Sequence, residues 1–196
     1  MNKKLEQGAA TRQHIIEAAT RLFTTAGYAG TSIEAVLRDC NVSRGALYHH
    51  FPGKDALFEA VLEAVEAQVA GRIQARARKA KNAVEALHAG CDAWLELARD
   101  RTVKQIVFID APSVVGWEKW RAIDAGHGFG LLRAALDAVA ADGLIPLPLV
   151  PTYAHILLAA LIEVAMLIAR APDPPAASKL GKAAIQDLLT RLLRSA

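Results

Sequence analysis

Side chains able to do chemistry crowd the first quarter of this 196-residue sequence. A short helix beginning after Ser43 and running to about His50 would carry Arg44, Tyr48, His49 and His50 on its outer face. Gly45 and Ala46 are small enough to let that face come close to a partner. Arginine is the side chain best suited to a bidentate contact with a guanine edge, and a tyrosine hydroxyl can donate to a backbone phosphate. Thr31 and Ser32 can donate in the same way from the start of the preceding helix. Lys54 opens a helix, where its charge opposes the macrodipole. A phosphate held between that ammonium and the helix-end amides would turn the cost into a gain. Read singly, each has a plain alternative: Tyr48 could pack on the first helix, and His49 and His50 could be solvated.

The elements that must position these groups are helical. Apolar residues recur at three and four along nearly the whole chain and strand alternation is absent, so the sequence predicts an all-α fold. Ile15, Ile16, Ala19, Leu22 and Phe23 form one face of a first helix that should stop at Gly27. Thr31 and Glu34 stand in capping-box spacing ahead of a short second helix bearing Ile33, Val36 and Leu37. The stretch 39–42 interrupts it, with Asn41 tolerant of left-handed backbone, and Ser43 is the natural N-cap of the third helix. Ile33, Val36, Leu37, Val42 and Leu47 should point inward and fix the angle between the two short helices. Phe51-Pro52-Gly53 breaks the chain before a long helix over residues 54–80. Further helices are expected around 83–100, 102–109, 117–141 (with a break near Gly126–Gly130), 151–170 and 176–194. Loops are expected at Ala111-Pro112-Ser113, 143–148 and 172–175.

Charge separates the first 54 residues from the rest. The chain carries a net +3, and residues 1–54 alone hold seven basic side chains against four acidic ones. The other 142 residues balance at 16 and 16. A second basic cluster, from Arg72 to Lys81, ends the long helix, where it would complement the helix C-terminus. Hydrophobic residues make up 53% and charged residues 22%, which excludes disorder for most of the chain and calls for a second place to bury apolar surface. Residues 153–170 approach the length of a membrane span, but Glu163 lies past their middle, and a helix buried by core and partner is the expected reading. Two distant cysteines without a CxxC, and an N-terminus without an apolar run, point to the cytoplasm.

Motifs for enzymes are missing: there is no G-x-S-x-G, P-loop or HExxH. The glycine-rich Gly126–Gly130 lacks a preceding strand, and the pair His88 and Cys91 falls short of a structural metal site. No metal or cofactor is expected, and an enzyme or ligand carrier with an incidental basic N-terminus remains the rival reading.

The run TSIEAVLRDCNVSRGALYHHFPGKDALFEAVLE resembles the DNA-binding segment of the TetR family of bacterial transcriptional regulators. Val42-Ser43, Leu47-Tyr48, Phe51, Lys54 and Leu57 fall where that family's pattern expects them, and the likeness covers about residues 10–60. Cys40-Asn41 replaces the family's usual Ala-Gly, and Leu37 fills a position that is usually small. The resemblance implies an N-terminal three-helix helix-turn-helix domain over residues 1–54 and a larger helical domain over 55–196. It implies a homodimeric repressor that binds a near-palindromic operator and is released by a small-molecule effector. By the same likeness, Thr31, Ser32, Tyr48 and Lys54 would contact phosphates, and Arg44, Gly45 and His49 would read bases.

Trp94, Phe108, Trp117, Trp120, Phe129 and Tyr153 are the candidate lining of a largely apolar effector cavity, although aromatic residues at helical spacing are more often plain core. His88, Asp110, His127, His155 and Glu163 are polar groups scattered through the same region. The last two helices, residues 151–194, suit dimerisation, with Leu180, Ala184, Leu188 and Leu192 along one stripe.

Overall fold

The structure, a computed structural model, describes residues 3–194 and the side chains of residues 6–193. Lys3 and Lys4, counted in the basic block, lie outside the described side chains. The described residues form helices and connecting turns with no strand. The helices are α1 (Lys3–Gly30), α2 (Ile33–Cys40), α3 (Arg44–His50), α4 (Lys54–Ala77), α5 (Ala83–Leu97), α6 (Ala111–Val114), α7 (Trp117–Asp124), α8 (Gly130–Ala141), α9 (Val150–Arg170) and α10 (Pro174–Arg194). Two π-helical stretches, Val103–Asp110 and Ala125–Phe129, continue directly into α6 and α8. The chain divides into two compact units. One runs as far as Val65 and takes in Arg101–Trp120; the other comprises Glu66–Asp100 and the chain from Arg121 onward. Helix α4 gives its first half to the former and its second half to the latter.

In the first unit, Phe23 of α1 meets Phe58 of α4 edge-on at 5.2 Å between ring centroids, and both are fully buried. Leu47 from α3 and Val36 from α2 close the same core, while Ile33, Leu37 and Val42 are half-buried around it. The expected end of the first helix at Gly27 is a sharp kink there, with φ +71° and ψ 172°, after which one more turn runs to Gly30. A side chain at 27 would be strained by that positive φ, and its Cβ would sit 3.2 Å from Gln105 Nε2. The kink is held from outside α1: the Tyr28 N–H donates to Asp110 at 2.8 Å.

Several sequence expectations change here. The cap of α2 is Ser32, whose hydroxyl accepts from the Ala35 N–H at 3.1 Å, so the Thr31–Glu34 capping box does not form. Thr31 instead donates to the Gly27 carbonyl at 2.8 Å. Ala111-Pro112-Ser113, expected as a loop, is helical. The ladder has already widened to π geometry, with the Ala111 N–H on the Ile106 carbonyl, and Pro112 then enters at a first-turn position where it has no N–H to lose. The glycine run is likewise no break in the path but a π turn between α7 and α8. Pro174 and Pro175, placed in the loop, begin α10, with Asp173 accepting from the Ala176 N–H at 3.0 Å.

In the second unit α9 is the central helix, packed by α5, α8 and α10. Its buried face carries Leu157, Leu161, Ala165 and Ile168. Gly181 sets how closely α10 can approach: a Cβ there would fall 2.6 Å from Val164 Cγ1. Polar links tie α5 to α10, where Gln186 hydrogen-bonds Asp92 at 2.7 Å and the His88 ring, and Lys182 pairs with Glu96 at 2.5 Å. The lysine holds the Glu96 carboxyl below its ordinary range. Residues 147–170 are long and apolar enough to cross a membrane by length and composition, and half of their most apolar window is buried inside the chain.

Candidate nucleic-acid interface and ligand cavity

Asn41 adopts the left-handed conformation at φ 49°, closing α2, and Ser43 then caps α3 by accepting from the Ala46 N–H at 3.2 Å. This turn places Leu47 in the core and leaves the opposite side of α3 in solvent. Arg44, Gly45, Tyr48 and His49 lie at i, i+1, i+4 and i+5, one helical face, and all four are exposed. Nothing stands within 4 Å of where a Gly45 Cβ would be, so that position is open to an incoming surface. Arg44 is not idle in the free protein: its guanidinium pairs with Glu34 at 2.8 Å. Both side chains are more than half exposed, so the pair is weak and readily exchanged for another anion.

Ser32, exposed at the head of α2, accepts from the Ala35 N–H through its hydroxyl oxygen and donates to the Glu34 carboxylate, helping to hold that acid below its ordinary range. Thr31 is placed differently, at 3% exposure with its hydroxyl already donated, so its visible work is to fix the approach to α2. Lys54 lies over the Tyr28 ring at 4.0 Å, and the Tyr28 hydroxyl donates to Asp55. Burial first, and then the Asp55 carboxylate, push the tyrosine pKa up to about 12. The cation–π contact offsets the unfavourable position of a lysine at a helix N-terminus. Tyr28 was not singled out in the sequence, because only the kink at Gly27 turns its ring toward α4.

The second unit holds a cavity of about 110 Å³. Its walls come from the second half of α4 (Ile73, Gln74), from α5 (Leu87, Cys91, Trp94), from Gly128 and α8 (Leu132), and from α9 (Leu158, Leu161). Trp94 is the sequence candidate that this cavity brings in, with its indole N–H donated to the Leu161 carbonyl at 3.3 Å. The other five do not line it. Phe108 and Trp120 are buried in core, Trp117 is 54% exposed against Trp120, and Phe129 stacks near His155 at 4.6 Å. Tyr153 is half-buried at the start of α9. Helical spacing marks an aromatic residue as inward-facing without saying whether it meets core or void.

What the sequence did not reveal is Asp124, the carboxylate in the cavity wall. It is 2% exposed, and its Oδ2 has no hydrogen-bond partner. Burial raises its pKa to about 6, opposed by the charges of Arg121 and His127. Among the described residues, no group of three or more His, Cys, Asp or Glu side chains gathers as a metal site.

Two family models match the chain: "Bacterial regulatory proteins, tetR family" over residues 15–61, and "Tetracyclin repressor-like, C-terminal domain" over 84–192. The transcriptional regulator AcrR of Shigella flexneri is 40% identical over 70 residues, which take in 35% of this chain and 33% of that protein. Similarity to such curated relatives therefore spans about a third of their length. A TetR-family transcriptional regulator of known structure from Pectobacterium atrosepticum is 29% identical, superposes with a TM-score of 0.86, and covers 100% of this chain and 99% of its own. RolR, solved in complex with resorcinol, shares the fold at a TM-score of 0.73 and 15% identity, over 98% of this chain and 97% of its own.

Proposed function

The chain belongs to the TetR family of bacterial transcriptional regulators, and from that membership we propose a repressor that binds a near-palindromic operator as a homodimer and is released by a small effector. The observation that carries the reading is the solvent face of α3, where Arg44, Gly45, Tyr48 and His49 share one side above a buried Leu47. In it, Arg44 leaves Glu34 for a guanine edge, His49 reads an adjacent base, and Gly45 lets the backbone approach the groove. Ser32, Tyr48 and Lys54 hold phosphates, with Thr31 shaping the loop that presents Ser32. Residues 1–54 are the DNA-binding region in this proposal, and residues 55–196 bind effector and partner.

Homodimerisation through residues 151–194 is supported by apolar side chains left in solvent on α9 and α10: Ile156, Leu167, Leu180 and Leu188. Leu180 is 72% exposed, and in this proposal the partner covers it. The proposed effector site is the cavity around Trp94; RolR, with its bound resorcinol, is a relative in fold that takes a small ring compound. Binding there would shift the population toward a form whose recognition helices no longer match the groove spacing, through α4, which contributes to both units. Cytoplasmic location follows from this role.

The test is binding to the DNA upstream of the protein's own gene against a scrambled duplex, at increasing salt. Specific binding should persist over the scrambled sequence, and Lys54→Ala should lower the slope of log K against log salt by about 0.9 for each protomer. Equal affinity for both duplexes would point instead to an architectural DNA binder without sequence preference, and no binding to either would leave the rival reading, a helical enzyme or carrier, in possession.

A further inference from the structure

Taking the cavity as the effector site, we propose that its ligand is a small organic ammonium, with an apolar body about the size of one ring and a protonated amine paired to Asp124. The volume of about 110 Å³ is somewhat below that of an engineered 150 Å³ cavity that holds benzene, which limits the body to roughly a ring or a short chain. The walls are leucines, Ile73, Trp94 and small residues, with Gln74 and Cys91 as the mild polar members.

Asp124 makes the difference. A buried carboxylate oxygen without a hydrogen bond is costly unless something supplies a donor and a countercharge. Arg121 does this poorly: its nearest nitrogen is 3.9 Å from Oδ2, too far for a hydrogen bond, and its side chain is 30% exposed. Burial still outweighs Arg121 and His127 in setting the acid's pKa, so the countercharge in the folded protein is incomplete. An ammonium brings three donors and a full charge to that oxygen. An alcohol would bring one donor and no charge, and a carboxylic acid would set a second anion beside the first. Cys91, held neutral by burial with a pKa near 12, adds no competing anion to the wall.

The experiment measures affinities of the full-length protein by calorimetry for four probes of one shape: benzylamine, benzyl alcohol, ethylbenzene and benzoate. At pH 7.5, benzylamine should bind at least about tenfold more tightly than the other three. Its affinity should fall as the pH drops through about 6, and Asp124→Asn should erase the preference while ethylbenzene still binds. His127 acts on Asp124 through its charge, so His127→Gln should keep the pH effect if Asp124 carries it. Should Asp124→Asn fold poorly, the pH dependence in wild-type and His127→Gln protein decides the matter. Benzylamine binding no more tightly than ethylbenzene, with both blocked by Leu158→Trp, overturns the ammonium inference and leaves the cavity reading standing. If no probe binds, or Leu158→Trp blocks none of them, the cavity reading falls as well.

Discussion

At the scale of the residue, the chain places its charges to be exchanged. The Arg44–Glu34 pair is exposed and costs little to open, so the arginine is held in a defined position without being locked away from DNA. Lys54 rests on an aromatic face instead of a carboxylate, which keeps its full charge available. Asp124 is the opposite case, an acid buried where it is expensive. Its pKa near 6 exceeds the value near 3.8 expected in the unfolded chain, so the folded state takes up a proton first as the pH falls. Unfolding free energy should therefore rise between pH 6 and pH 4 by up to roughly 2–3 kcal/mol, and be lost again as the pH rises through 6. Asp124→Asn should remove this gain and be the more stable protein at pH 7.5; chemical denaturation at the two pH values measures it. Nothing in the sequence marked this residue, because an aspartate in Trp-Arg-Ala-Ile-Asp reads as one more solvated charge. Only the tertiary fold, which sets this position in the cavity wall at 2% exposure, turns it inward.

At the scale of the element, capping and turn chemistry made α2, α3 and their connection legible: Asn41 and Ser43 each have one local job and do it. Periodicity located nearly every other helix. It failed at Pro112, where the sequence predicts a loop, and at Gly126–Gly130, where it predicts a break. There the chain widens into π turns and stays helical, a choice made by packing and invisible to propensity. The aromatic residues mark the same limit, since Trp94 faces a void while Phe108 and Trp120 face core. Gly181 is a site where the element interior tolerates no side chain. Gly181→Ala should destabilise the protein by about 1–3 kcal/mol despite alanine's better helix propensity, because Val164 must move. A thermal melt that showed alanine to be neutral or stabilising there would mean α9 and α10 pack less closely than 2.6 Å requires.

For the molecule as a whole, the basic excess and the apolar excess lie in different places. The +3 charge falls within residues 1–54, whereas four exposed apolar side chains, Ile156, Leu167, Leu180 and Leu188, stand on α9 and α10. The double change Leu180→Glu and Leu188→Glu should yield a monomer in sedimentation, with helix content kept and operator affinity reduced on the order of a hundredfold by loss of the second reading head. Sedimentation of that variant as a dimer would move the interface elsewhere. The most direct test of the central claim is selection of binding sites from a random DNA pool by the wild-type protein. The enriched sequences should form an inverted repeat whose half-sites are centred about one or more helical turns apart, and Arg44→Ala should relax the consensus within each half-site. Enrichment of no sequence, or of a site without two-fold symmetry, would contradict a homodimer that reads DNA with α3.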